Sequence, residues 1–132
     1  MIGLVIVAHG FLATEMKKIM DLIVGTQDFV ETIEILPTDD IEEKRKELQS
    51  KIDIVNQGNG VILLTDMFGG TPSNLAISFM ENPNIEVIAG VNVPMLIKLA
   101  QIRKTKSLAE VIIEAQEAGR KYINVASQLL TK

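Results

Sequence analysis

The chain has 132 residues, 47% of them hydrophobic and 23% charged, with a net charge of -4. This is the size and balance of one soluble domain with a single real core; it excludes a disordered chain and argues against nucleic acid, which selects a basic face or the aromatic stacking surfaces that a 4% aromatic content scarcely offers. Cysteine is absent, which rules out disulfides, thiolate chemistry and cysteine zinc sites and accords with a cytoplasmic protein.

Apolar runs alternate with amphipathic stretches, the pattern of an α/β fold on a parallel sheet. Ile2 to Ala8 is apolar nearly throughout, as for a strand buried on both faces. No basic leader precedes it and it stops at His9-Gly10, so no signal peptide is expected. No apolar run approaches the length of a bilayer crossing. A helix is expected over 12–24, where Leu12, Met16, Ile19, Met20 and Ile23 recur at helical spacing before Gly25. Phe29 to Leu36 reads as a second strand, with Ile33 and Ile35 alternating with Thr32 and Glu34, so one face or one edge is wet. After Pro37, Thr38-Asp39-Asp40 opens a charged helix with capping-box spacing at Asp39/Glu42 or Asp40/Glu43. Ile41, Leu48, Ile52 and Val55 are its expected buried stripe, and the charges from Glu42 to Glu47 a solvated face.

Val61 to Leu64 is wholly apolar and reads as a central third strand, with Asp66 just past its end. Met67 to Ser73 reads as a glycine-containing loop and helix start, with Thr71 as N-cap and Pro72 at the first helical position; that helix is expected to reach Met80. Ile85 to Ala89 is a fourth strand, and Pro94 opens a short helix to about Ala100. Ser107-Leu108-Ala109-Glu110 is a full capping box for a helix ending near Gly119. Tyr122 to Ala126 reads either as an edge strand or as more helix. Without repeats, low-complexity segments or linkers, residues 1–132 read as one domain.

In open α/β sheets the working crevice lies beyond the carboxyl ends of the strands. His9-Gly10, Thr65-Asp66 with the Gly69-Gly70-Thr71 loop, and Gly90-Val91-Asn92 are the polar strand ends and are expected to converge there. His9 is the only histidine, and a neutral imidazole nitrogen is a good nucleophile near neutral pH. It needs a partner on its other nitrogen, and Asp66 is the obvious orienter; if Asp66 holds Nδ1–H, Nε2 is the nucleophile. Gly69-Gly70-Thr71 leading into a helix has the form of a phosphate cradle, to which the Thr71 or Ser73 hydroxyl could add a donor. Each feature has a plainer explanation: a solvated histidine, an aspartate or Asn92 holding a turn, glycines needed by the connection. Their conjunction at one rim carries the functional reading. There is no P-loop, no G-x-G-x-x-G and no G-x-S-x-G, and one histidine without cysteine makes a poor transition-metal site, so neither cofactor nor metal is expected.

Ile6-Val7-Ala8-His9-Gly10, Leu64 to Asn74 and Val87 to Leu96 together resemble, in order and spacing, the IIA component of the mannose-family sugar phosphotransferase system, the mannose/fructose/sorbose type. The likeness spans nearly the whole chain. It implies a phosphotransferase with a phosphohistidine intermediate, accepting phosphate from the phosphocarrier protein HPr and passing it to a IIB protein. IIB phosphorylates the sugar as it enters through the IIC/IID permease, so contact with the membrane is indirect. By residue match His9 would carry the phosphate, Asp66 would be its partner, and Gly69, Gly70, Thr71 and Ser73 would flank the phosphoryl group. The resemblance also implies helices on both faces of a mainly parallel sheet, and a homodimer that exchanges an antiparallel edge strand near the C-terminus, for which Tyr122 to Ala126 is the candidate. Some family members continue into a fused IIB domain; a chain ending at Lys132 implies IIB as a separate partner. Two other functions compete, a phosphocarrier feeding a dihydroxyacetone kinase and a regulatory module of the same fold without turnover. The loop from Phe68 to Pro72 looks more like the sugar-transport branch, and an intact His9 and Asp66 count against the regulatory module.

Overall fold

The computed structural model describes residues 1–130. Its elements, in chain order, are β1 (Gly3–His9), α1 (Leu12–Val24), β2 (Val30–Ile35), α2 (Ile41–Val55), β3 (Val61–Thr65), α3 (Thr71–Ile77), β4 (Ile85–Ala89), α4 (Val93–Ile102), α5 (Leu108–Lys121) and α6 (Ala126–Leu130). The strands pair in the order β2-β1-β3-β4, every pair parallel. The two strands read as apolar throughout, β1 and β3, are the central ones, and the alternating β2 lies at an edge.

Alternate residues of β1 enter opposite cores, as strand geometry dictates. Leu4, Ile6 and Ala8 pack with Met16 and Met20 of α1, Leu96 and Leu99 of α4 and Val111 and Ala115 of α5. Val5 and Val7 face the other way, onto Leu48, Ile52 and Val55 of α2 and Leu75 and Ala76 of α3. Helices therefore cover both faces of the sheet, as the family resemblance implies.

Capping follows the sequence in part. Ser107 and Glu110 form the expected reciprocal box at the start of α5. At α2, Asp40 is the N-cap and accepts the Glu42 N–H at 2.9 Å, while Asp39 turns back to accept the Leu36 N–H at 2.7 Å. Ile41, expected in the buried stripe, is instead exposed beside the cap. Helix α3 is shorter than expected, and its N-cap is Gly70, with Thr71 inside the first turn and no side-chain cap.

The main departure is at the C-terminal end. Helix α5 continues to Lys121, residues 123–125 are irregular, and α6 follows. No antiparallel strand is present among the described residues. Tyr122, Ile123 and Val125 have the side chains of a strand, but a strand forms only where its backbone groups meet another strand, and residues 121–130 lie exposed and pair with none.

Arg103, just after α4, is fully buried and ties the amino ends of two strands together. Its guanidinium donates to the carbonyls of Ile2 at 3.1 Å, Phe29 at 3.4 Å and Asp28 at 2.6 Å, and to the Gln27 side chain at 3.1 Å. Those acceptors precede β1 and β2, at the end of the sheet opposite His9. Truncation would take its donor from the buried Ile2 carbonyl and from the half-buried bonds to Asp28 and Gln27, and a buried group left unpaired costs on the order of 1–3 kcal/mol. Arg103→Ala is expected to lose about 3 kcal/mol of stability in urea unfolding, with the loss centred on these bonds.

Candidate active site

Strand order reverses beside β1: the chain steps from β1 to β2 on one side, then returns to place β3 on the other. The crevice of such a sheet opens at this switch, beyond the carboxyl ends of the two strands. His9 is the last residue of β1 and Asp66 the first after β3. Parallel pairing of Val7 with Thr65 sets these ends side by side, although His9 and Asp66 are 57 positions apart.

The carboxylate is the hub of the site. Asp66 Oδ2 lies 2.7 Å from His9 Nδ1 and accepts the His9 backbone N–H at 3.1 Å, while Oδ1 accepts the Met67 N–H at 3.1 Å. Burial disfavours the charged form of Asp66, but hydrogen bonds from the His9 ring and peptide outweigh it and hold the carboxyl below its ordinary 3.8. An ionised carboxylate offers only acceptors, so Nδ1 must carry the ring proton. That choice leaves the lone pair on Nε2. The Asp66 side chain is 15% exposed and that of His9 49%, so an anchored anion supports a reachable base.

The loop after Asp66 folds back over the ring. Gly69 has φ +84°, a left-handed value that suits glycine, and nothing stands near its missing side chain. Gly70 is extended at φ -93° and ψ 171°, and a Cβ on it would lie 2.7 Å from His9 Cε1 and 3.1 Å from Nε2. The backbone of Gly70 thus lies against the ring edge that bears the lone pair. Thr71 begins α3 at an exposed position beside it. Ser73, in the first turn of α3, is fully buried, and its Oγ has no hydrogen-bond partner among the described residues.

The third strand end behaves differently from expectation. The N–H groups of Gly90 and Val91 donate to the Thr65 carbonyl, so β4 does end beside β3. Asn92, however, is an architectural brace: its Oδ1 accepts the Met95 N–H at 3.0 Å as the cap of α4, and its Nδ2 donates to the Gly119 carbonyl at 2.9 Å. The polar centre is built from the ends of β1 and β3.

Residue-type reasoning overlooked the apolar rim. Phe11 is 62% exposed, Met67 56% and Phe68 70%, and these residues sit next to Gly10, Asp66 and Gly69 in the chain. Large apolar side chains within glycine-rich connections were the available signal. Among the described residues, no helix is long and apolar enough to cross a membrane, and no group of three His, Asp or Glu could hold a metal ion.

A carbon-13 titration of the Asp66 carboxyl is expected to have its midpoint below 3.8. The stability contributed by ionised Asp66 is complete above that ordinary value and disappears as pH falls through the lowered one, so Asp66→Asn should flatten the acid limb of the unfolding profile.

Residues 3–116 match the family model described as the PTS system fructose IIA component. A PTS system mannose-specific EIIAB component of Escherichia coli K12 is 32% identical over 121 residues; the match covers 90% of this chain and only 38% of that protein. A PTS system fructose-specific EIIA component of Bacillus subtilis is 26% identical over 133 residues, covering all of this chain and 91% of the relative. The crystal structure of a phosphotransferase system component EIIA from Streptococcus agalactiae superposes with a TM-score of 0.88 at 26% identity, over 97% of this chain and 99% of the other. With a family model spanning most of its length and a fold shared along nearly the whole of it, the chain belongs to the mannose/fructose-type IIA family of the sugar phosphotransferase system.

Proposed function

We propose that this chain is a cytoplasmic phosphoryl carrier that takes phosphate from the phosphohistidine of HPr onto His9 Nε2 and passes it to a separate IIB protein. The observation that carries this reading is the 2.7 Å contact between His9 Nδ1 and Asp66 Oδ2. The Nε2 lone pair attacks phosphorus in line while the donor's phosphorus–nitrogen bond breaks, its electron pair leaving with the donor nitrogen. The His9 ring becomes cationic as the new bond forms, and Asp66, already accepting from Nδ1–H, stabilises that charge. Transfer to IIB reverses the same steps. Phosphoryl transfer depends mainly on positioning and charge stabilisation, so this small constellation suffices.

In this reading Gly69, Gly70, Thr71 and Ser73 flank the phosphoryl oxygens, with peptide N–H groups and the unpartnered Ser73 hydroxyl as donors. The exposed Phe11, Met67 and Phe68 give the protein partners an apolar surface around the nucleophile. Sugar choice belongs to the membrane subunits, which a IIA domain does not touch. The exposed segment from Tyr122 to Leu130 supports a homodimer in which it packs on a second copy.

Incubation with phosphoenolpyruvate, Enzyme I and HPr should add one acid-labile phosphoryl group by intact mass, and none to His9→Ala. Phosphorus–nitrogen couplings should place it on Nε2; an Nδ1-phosphorylated ring would overturn the assignment. Asp66→Asn, which no longer selects the tautomer, should slow His9 phosphorylation by roughly two orders of magnitude or more in stopped-flow transfer from phospho-HPr. Sedimentation equilibrium should give twice the 14.5 kDa mass of one chain, and a single-chain mass would remove the homodimer.

A further inference from the structure

Gly69 and Gly70 are adjacent, yet they are glycines for different reasons. Gly69 has φ +84° and open space where a side chain would project, so backbone conformation alone selects it. Gly70 has φ -93° and ψ 171°, a conformation any residue adopts. It is also the N-cap of α3, where Ser, Asp or Asn would supply a side-chain acceptor that this helix lacks. Neither backbone nor helix physics therefore asks for glycine at position 70.

The His9 ring does. A Cβ at position 70 would stand 2.7 Å from Cε1 and 3.1 Å from Nε2, against an ordinary carbon–carbon contact of about 3.5 Å or more. The ring would have to retreat by roughly 1 Å. It can do so cheaply as far as the fold is concerned, because the His9 side chain is 49% exposed and swings on its own torsions. It cannot do so and keep its 2.7 Å contact with Asp66, which is anchored by its own bonds to the His9 and Met67 peptides.

We propose that Gly70 is a positioning residue for His9: its missing side chain lets the loop backbone seat the imidazole from the Cε1–Nε2 edge while Asp66 holds it at Nδ1. The two contacts grip opposite sides of the ring and fix its rotation. This role is separate from any hydrogen bond that the Gly70 peptide makes to a phosphoryl group, and its kinetic consequence rests on the assignment of His9 as the phosphate acceptor.

Gly70→Ala, Gly70→Ser and Gly69→Ala separate the possibilities. Long-range proton–nitrogen spectra of the unphosphorylated protein report which ring nitrogen of His9 is protonated. Single-turnover transfer from phospho-HPr separates the maximal rate from the half-saturating donor concentration, and thermal unfolding reports the fold. A misplacement of about 1 Å costs on the order of a hundredfold in rate. Gly70→Ala is expected to lose that much in maximal rate with little change in half-saturation, to shift the His9 ring signals toward a mixture of tautomers, and to melt near the original temperature. Gly70→Ser should melt at the same or a higher temperature because it gains a cap, yet show the same ring and rate defects. Gly69→Ala should melt lower and keep the original ring signals.

Original ring signals in Gly70→Ala and Gly70→Ser would overturn the proposal, whether or not the rate falls. A disturbed ring in both, in folded protein, supports it even where HPr fails to phosphorylate the original chain. That failure would count against the carrier function alone.

Discussion

A single carboxylate joins the two central strands of this protein at their functional end. Asp66 accepts both the backbone and the ring of His9 and also the N–H of Met67. These bonds tie the end of β1 to the turn after β3, and they decide which ring nitrogen is basic. Structure and chemistry are inseparable here, because the bonds that outweigh burial and hold the carboxyl ionised are the bonds that orient the imidazole. The reversal of strand order makes the contact available, since only neighbours on opposite sides of the switch leave a crevice above their ends.

The opposite end of the sheet is closed by different means. Arg103 reaches the segments before β1 and β2 and donates to the carbonyls of Ile2, Asp28 and Phe29, the last of which also accepts the Leu4 N–H of β1. A buried guanidinium is costly to desolvate, and it is tolerated because its fork meets several fixed acceptors at once. The sheet is thus held at one end by a buried cation serving carbonyls and at the other by a carboxylate serving N–H groups. Only the second is reachable from solvent, and that places the chemistry.

Much of this was legible in the sequence, for identifiable reasons. β1 and β3 are buried on both faces, so their composition alone distinguishes them from the alternating edge strand β2. His9 and Asp66 stand out because each is the first ionisable residue after such a run, and strand ends at a switch point are where function collects. What the sequence did not settle depends on contacts between distant segments. The periodicity of α1 marks Leu12, Ile19 and Ile23 as readily as Met16 and Met20, yet only the two methionines are buried, because the width of the stripe that the sheet and α4 cover is a tertiary matter. Tyr122, Ile123 and Val125 carry strand propensity without a strand to pair with. Asn92 reads as a turn residue, and its bond to Gly119 joins positions no local rule connects. The two glycines of the loop look alike in the sequence, and only the position of the imidazole tells them apart.

The charge pattern around the nucleophile fits a carrier better than a terminal enzyme. Residues 8–13 and 65–72, which form the rim, contain neither Lys nor Arg. Burial, His9 and a backbone hydrogen bond account for the shift at Asp66, with no Lys or Arg contributing to it. A dense cationic clamp would bind a phosphoryl group tightly, but a carrier has to surrender that group to the next protein, and binding that is stronger in the resting state than in the transition state only slows departure. Here the one full charge at the site is negative and lies behind the ring, where in the proposed transfer it stabilises the imidazolium rather than the phosphoryl oxygens. In the proposed carrier, peptide dipoles of the loop are left to face the phosphate, strong enough to orient it and weak enough to let it go. On the same proposal, the exposed apolar side chains of Phe11, Met67 and Phe68 provide protein contact without adding charge, so partner affinity and the lability of the bound group are set by different residues.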